Sequence, residues 1–305
     1  MTAPDRRLAV VGLGGMGGGV ARRLVAAGLA PTVFNRTRSR VDPLVAAGAR
    51  AAASAAEAAA TADIVMVSLS DERAVEEVLF TEMLPVLRPG TAVVEMTTLA
   101  PEYAREAARR LGEIGVRRVE ACLVGNPEMA QAGQLRVFVA GERADVDDLR
   151  PVFDAMARQG MLYLGPTGRA AAMKLAFNLL LGVQTAGLAE AVVFAEQAGL
   201  DRELLLTAIQ KSGWRSPVLN FRADFMRTRS YEPAGFRTAL MAKDMRLAVG
   251  DAERQGVPLP MTRQAAQRYE AAVANGAGDR DAAVVVELPT TTANPVPALQ
   301  NGATR

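Results

Sequence analysis

Lysine is nearly absent from this chain, which makes each surviving one a candidate for chemistry. Of 35 Lys and Arg residues only Lys174, Lys211 and Lys243 are lysines. Arginine matches lysine in charge and helix propensity, so a retained lysine points to work that arginine cannot do, and proton donation is the first such work. Lys174 sits in the run AAAMKLAFN, with Asn178 four residues on. On a helix, positions i and i+4 share a face one turn apart, so this ammonium and this amide could grip the same small group. Reducing a carbonyl by hydride transfer creates an alkoxide that must be stabilised and protonated. A lysine charged at neutral pH can polarise the oxygen and then donate, whereas arginine is too weak an acid. A solvated lysine on a helix surface would account for the same residue.

Lys243 stands beside Asp244 in MAKDMRLAV. Adjacent residues on a helix point in different directions, so each is expected to have its own partner: a cofactor phosphate or ribose, and the catalytic lysine. Lys211 has no comparable company and is assigned to the surface. The chain contains no histidine. That excludes a Ser-His-Asp triad, a His-ligated metal and any side chain titrating near neutrality without a shifted pKa. Proton transfer is left to Lys, Asp, Glu, Tyr, Cys or water.

A second motif supplies the hydride side of such chemistry. Gly12-Leu13-Gly14-Gly15-Met16-Gly17 fits G-x-G-x-x-G between an apolar run and a helical one. Gly12 suits the tight turn, Gly14 lets the backbone approach a pyrophosphate, and Gly17 allows close helix–strand packing, with the helix N-terminus facing the anion. At the end of the next strand, where NAD-preferring proteins place an acid, the chain reads NRTRSR. Asn35 carries no charge, and Arg36 and Thr37 can donate to a 2′-phosphate, so NADPH is favoured over NADH. A solvated basic loop would also explain these residues.

Around these motifs the chain reads as α/β. Strand-like runs at 62–69, 91–96, 117–122, 135–141 and 160–165 alternate with helical stretches, among them the alanine-rich 51–62 and 101–115. The expected outcome is a doubly wound, mostly parallel Rossmann sheet. After about residue 165 a helical stretch of about thirty residues leads into purely helical patterns. The expected layout is a dinucleotide-binding domain over 1–165, an all-helical domain over 166–287 entered by a long interdomain helix, and a disordered tail over 288–305.

A composition of 50% hydrophobic and 22% charged residues is that of an ordinary soluble protein. The net charge of +2 offers no field for nucleic acid, and the apolar N-terminal run is broken by glycine too early for a signal peptide or spanning helix. The single Cys122 fits a reducing compartment. A cytoplasmic protein that partners neither membrane nor nucleic acid is expected.

Several of these stretches come together in a recognisable order: VVGLGGMGGGVARRL, ADIVMVSLSD, RPGTAVVEMTTLAPE, VEACLVGNPEMAQAGQLRVFVAG, GPTGRAAAMKLAFNLLLG, LAEAVVFAEQAGLD, KDMRLAVG and GAGDRDAAVV. Covering about residues 6–287, they resemble the β-hydroxyacid dehydrogenase family, most closely its glyoxylate/succinic semialdehyde reductase branch. The resemblance implies a Rossmann domain and a helical domain that forms homodimers or homotetramers. It implies Lys174 as general acid with Asn178 beside it on the substrate oxygen, Lys243 on the cofactor, and Asp244 and Phe236 lining the substrate pocket. It also puts Leu69, Ser70 and Thr98 beside the nicotinamide, with Ser70 in place of a usual proline.

One departure bears on the substrate. Where the family's carboxylate loop reads roughly Pro-Val-Ser-Gly-Gly, the aligned residues are Cys122-Leu123-Val124-Gly125-Asn126. Valine cannot hydrogen-bond a carboxylate, and losing one charge-assisted contact costs about 1.5–3 kcal/mol, roughly ten- to hundredfold in affinity. Asn126 or the Gly125 N–H could compensate, or the substrate could be bulkier, less acidic or no carboxylate. The leading expectation is an NADPH-dependent reductase of a small aldehyde or keto compound. Its rivals are an imine reductase and a dinucleotide-binding interaction protein without catalysis.

Overall fold

Short runs of valine, isoleucine, methionine and alanine can satisfy their buried backbone groups only by pairing with one another. The computed structural model, which describes residues 6–288, pairs them in a single eight-stranded sheet of order β3-β2-β1-β4-β5-β6-β7-β8. The strands are β1 (Leu8–Val11), β2 (Thr32–Phe34), β3 (Arg50–Ala51), β4 (Ile64–Val67), β5 (Ala92–Glu95), β6 (Arg117–Val124), β7 (Arg136–Ala140) and β8 (Met161–Tyr163). Neighbours run parallel except β6 and β7, which are antiparallel. Only residues 125–135 separate that pair, close to the lower limit of about a dozen for a parallel crossover.

Helices α1 (Gly15–Ala26), α2 (Asp42–Ala46), α3 (Ala55–Ala60), α4 (Glu72–Val75), α5 (Pro101–Gly112), α6 (Pro127–Ala132), α7 (Arg143–Asp148) and α8 (Arg150–Met156) flank the sheet. Alternate strand residues feed two cores. Val10, Met66 and Val94 pack with Val20 and Leu24 of α1 on one side, while Ala9, Val65 and Val93 pack with Leu79 and Leu111 on the other. The fold is thus an N-terminal Rossmann domain. The alanine-rich stretch is a correction: its start belongs to β3, and the helix begins only after Ser54, whose hydroxyl accepts from Glu57 N–H at 3.0 Å. Ala52 N–H instead donates to Val33 O, and this sheet bond overrides alanine's helical preference.

Beyond β8 the described residues form no further strand. They form α9 (Arg169–Gln197), α10 (Arg202–Lys211), α11 (Pro217–Thr228), α12 (Thr238–Arg254), α13 (Pro260–Ala272) and a 3-10 turn at Ala282–Glu287. Gly182 lets α12 approach α9, because a Cβ there would lie 2.5 Å from Met245 Sδ. The buried Tyr269 hydroxyl of α13 donates to Gly182 O at 2.8 Å. Among the described residues α9 alone has the length and mean hydropathy, 1.5, to cross a membrane, although it carries Lys174 and Asn178 inward and packs against the other helices. The expected tail lies outside the described residues, except for Leu288.

Candidate active site

The glycine turn has the shape of an anion cradle. Gly12 adopts φ +91°, and a Cβ there would sit 2.1 Å from Ser68 O. A Cβ on Gly17 would sit 2.1 Å from Gly12 O, so these two glycines exist for packing. Gly14 differs, because its nearest neighbour in that direction is Arg40 Nη1 at 3.8 Å, leaving room for a ligand to approach the backbone. The first helical bond runs from Gly18 N–H to Gly14 O. The N–H groups of Gly15, Met16 and Gly17 therefore remain free for an anion at the positive end of α1. These features fit a dinucleotide pyrophosphate.

Asn35 serves the turn directly: its Oδ1 accepts Leu13 N–H at 2.9 Å while its Nδ2 donates to Thr37 O at 3.2 Å. Arg36 and Thr37 are exposed next to it, and Arg36 makes no ion pair among the described residues. On the neighbouring strands, Leu69 N–H donates to Thr97 Oγ1 at 2.9 Å, which ties the β4 loop to the β5 loop that carries Thr98. Ser70 is exposed, its hydroxyl donating to Asp71 at 3.0 Å.

The two chemically interesting lysines meet these strand ends from the helical domain. Lys174 Nζ donates to Leu123 O at the end of β6, and Lys243 Nζ donates to Thr98 O after β5, both at 2.7 Å. Asn178, buried on the same face of α9 as Lys174, donates through Nδ2 to Asp244 Oδ2 at 2.5 Å. Lys243 and Asp244 each have a partner of their own, Thr98 O and the Asn178 amide, and the two side chains also touch, with Lys243 Nζ 3.0 Å from Asp244 Oδ1. That approach is off the angle of a directed hydrogen bond, so it is a charge contact. Lysine's flexible four-carbon stem lets it fold back where a stiffer side chain would diverge.

Electrostatics at Lys174 depart from the simple expectation of an ordinary lysine. Burial pushes its ammonium below the usual lysine value, the Asp244 carboxylate pulls it back up, and Lys243 adds to the lowering. A lysine so placed is a stronger acid than one in water. Burial pushes the nearby Cys122 thiol up to about 12, so it stays protonated and is no nucleophile.

The substrate loop has its own geometry. Val124 is half-buried against Cys122, Phe138, Ala140 and Ala170, with Met173 alongside. Gly125 takes φ +145°, and a Cβ there would meet Leu135 at 2.7 Å. Asn126 is first a helix cap, its Oδ1 accepting Met129 N–H at 2.8 Å, so its acceptor is spent and only Nδ2 remains to offer. Phe236 lies just ahead of α12 and packs on the helical core, its N–H held by Asp281 at 3.0 Å.

Sequence reasoning passed over two buried charged groups that hold this arrangement. Asp281, fully buried, pairs with Arg222 at 2.5 Å and accepts from Gly235 and Phe236 N–H, pinning the loop before α12. Glu120 on β6 accepts from Gly168 and Ala171 N–H at the start of α9. For Glu120 the readable signal was a carboxylate within the strand-like run RRVEAC.

A Rossmann cradle facing lysine and amide groups from a helical domain defines a nicotinamide-dinucleotide-binding protein. Residues 7–165 match the NAD binding domain of 6-phosphogluconate dehydrogenase, and residues 168–288 match the NAD-binding domain of NADP-dependent 3-hydroxyisobutyrate dehydrogenase. The chain is 35% identical to an NAD-dependent L-serine dehydrogenase from Pseudomonas aeruginosa, over 93% of this chain and 97% of that one. It is 30% identical to the chloroplastic glyoxylate/succinic semialdehyde reductase 2 of Arabidopsis thaliana, over 91% of this chain and 77% of the relative. Among solved structures, a 3-hydroxyisobutyrate dehydrogenase from Salmonella typhimurium superposes with a TM-score of 0.86 at 28% identity, covering 93% of this chain and 99% of that one. The chain belongs to the β-hydroxyacid dehydrogenase family of NAD(P)-dependent oxidoreductases.

Proposed function

We propose that this protein is an NADPH-dependent reductase of a small aldehyde or keto substrate of the semialdehyde or glyoxylate kind, with Lys174 as general acid. NADPH, when bound, supplies the hydride. Lys174 leaves Leu123 O, donates a hydrogen bond to the substrate oxygen, and transfers its Nζ proton to that oxygen as negative charge develops there. Asn178, fixed by Asp244, orients the same oxygen, and Lys243 holds the cofactor side of the cleft. The carrying observation is the Lys174 ammonium at the end of β6, one residue from Val124 and below its usual pKa. Lys174→Ala should abolish turnover while NADPH binding, followed by fluorescence, stays near wild type; full turnover in that variant would sink the mechanism.

The preference for NADPH rests on uncharged Asn35, whose side chain is spent on the turn, and on exposed Arg36, which has no ion pair among the described residues, next to Thr37. Comparing the Michaelis constants for NADPH and NADH tests it. The protein is read as a cytoplasmic homodimer or homotetramer. Phe177, Leu180 and Phe194 leave an apolar stripe open along α9, suited to a second copy rather than to nucleic acid or membrane. Sedimentation velocity tests that.

A second reading has its own observation. Val124 among Cys122, Phe138, Ala170 and Met173 makes an apolar wall that would suit an uncharged C=N substrate, as in an imine reductase. Assaying a cyclic imine beside glyoxylate and succinic semialdehyde separates the two. Total inactivity across an aldehyde panel would instead favour a dinucleotide-binding interaction protein.

A further inference from the structure

Two charged side chains on β6, Arg118 and Glu120, are buried to 6% and 2% exposure beneath the start of α9. Buried charges destabilise unless they are paired and hydrogen-bonded, so each should have a partner that needs it. Glu120 meets this condition from both oxygens: Oε1 accepts Gly168 N–H, and Oε2 accepts Ala171 N–H at 2.9 Å. Gly168 is the residue before the first turn of α9 and has no side chain to cap it. The strand carboxylate therefore does the capping, with its negative charge at the positive end of the long helix. Arg118 lies 3.8 Å from Glu120 Oε1 and donates to Ala104 O at 3.1 Å, linking the same cluster to α5.

The same strand meets α9 a second time, where Lys174 Nζ donates to Leu123 O. Ala171 and Lys174 are about one helical turn apart, so the two fastenings act on neighbouring turns. In the reaction proposed above Lys174 moves from Leu123 O to the substrate oxygen and gives up the second fastening, while the first is kept.

We propose that Glu120 is a positioning residue for the reductase reaction, holding the first turns of α9 on β6 so that Lys174 and Asn178 stay aimed at the substrate oxygen once Lys174 has left its resting carbonyl. This rests on the reductase reading above. Glu120 touches neither the substrate nor the glycine turn, so its removal should weaken the proton-transfer geometry and spare dinucleotide binding.

The test is Glu120→Gln, which can present only one accepting oxygen to the two N–H groups. Glu120→Asp runs beside it: it keeps the charge next to Arg118 but withdraws the carboxylate by about 1.5 Å, guarding against a folding failure. Rates are expressed per NADPH site, titrated directly. Both variants should lose roughly ten- to hundredfold in kcat, with the NADPH dissociation constant within about twofold of wild type. The primary isotope effect with 4-deuterated NADPH should rise as the chemical step becomes slower. An unchanged kcat and isotope effect per site, with only a lowered Tm, would reduce Glu120 to a stabilising cap and overturn the proposal. Wild-type turnover in Lys174→Ala would instead overturn the reductase mechanism itself, whatever the Glu120 variants do.

Discussion

Asn178 and Asp244, 66 residues apart in the chain, share a 2.5 Å hydrogen bond that locks α9 to α12 beside the two lysines. Asp244 is 2% exposed and carries a charge contact to Lys243 on its other oxygen. Its charge raises the pKa of Lys174 against the lowering effect of burial. Asp244→Asn keeps an acceptor for Asn178 but removes the charge, so Lys174 should fall further below its ordinary value and lose its proton earlier as pH rises. The alkaline limb of the kcat profile for carbonyl reduction should move to lower pH. A limb that stays in place in the variant would exclude this coupling.

Lys174 itself makes a directional prediction in wild-type enzyme. Reduction needs the protonated ammonium, so its rate should decline as pH rises through a midpoint below lysine's ordinary 10.5, whereas alcohol oxidation, which needs the free amine, should increase over the same range. Lys174→Arg keeps the positive charge but removes the transferable proton, and kcat should drop by roughly 10²–10⁴. Rates for both directions measured across the same pH series check the sign, and parallel trends would rule out a single shared proton.

Much of the site was legible because its signals are local. Gly12 to Gly17 sit in a strand–turn–helix context, and the spacing of Lys174 and Asn178 places them on one helix face whatever surrounds it. Asn126, expected only as a substrate contact, is first the cap of α6. What escaped depends on contacts between distant segments. Ala51 becomes strand because β2 offers it a partner, and Lys243 reaches Thr98 O, 145 residues away in the chain. The lowered pKa of Lys174 comes from burial, and the role of Glu120 from a helix 51 residues on. None of these can be derived from spacing.

The glycine turn separates packing from binding in a way that two substitutions can expose. Gly14 has φ −63°, which alanine adopts freely, and its Cβ would meet nothing closer than 3.8 Å. Gly14→Ala should therefore fold with an unchanged Tm and still bind the dinucleotide at least about tenfold more weakly, because the methyl occupies the approach to the backbone. Gly17→Ala drives its Cβ to 2.1 Å from Gly12 O and should lose about 1–3 kcal/mol of stability as well. Calorimetry with and without NADPH resolves the two, and equal losses of Tm would contradict the division.

At the opposite end of the strands, Asp148 joins Arg6, just ahead of β1, to Arg117 at the start of β6. It is hydrogen-bonded by Arg6 and also by Arg117 at 2.8 Å, and these guanidinium groups hold its carboxyl down to about 2, from a usual value of 3.8. A depressed folded-state pKa stabilises the protein above the unfolded value, and this contribution is lost as pH falls from about 4 to about 2. With its side chain 30% exposed, solvent screening leaves a contribution of about 1 kcal/mol. Asp148→Asn should lower the urea midpoint at pH 7 and leave it nearly unchanged at pH 2, while an equal shift at both would deny the ion pair its role.

Val124 offers the most direct test of what the pocket accepts. The side chain is half-buried in an apolar setting next to the Lys174 carbonyl partner, and Asn126 has already spent its acceptor on α6. Val124→Ser introduces a hydroxyl where a substrate carboxylate would lie, at the loss of one methyl-sized group. If the pocket receives small carboxylated aldehydes, the variant should lower the KM for glyoxylate roughly ten- to hundredfold and leave the KM for its methyl ester unaltered, since the ester has no charge to reward the new donor. If instead Val124 is the wall for an uncharged substrate, the added hydroxyl should weaken that substrate and bring no gain with glyoxylate. The two KM ratios, measured on the same preparations, distinguish a carbonyl reductase that has merely lost one contact from an enzyme whose pocket has turned apolar.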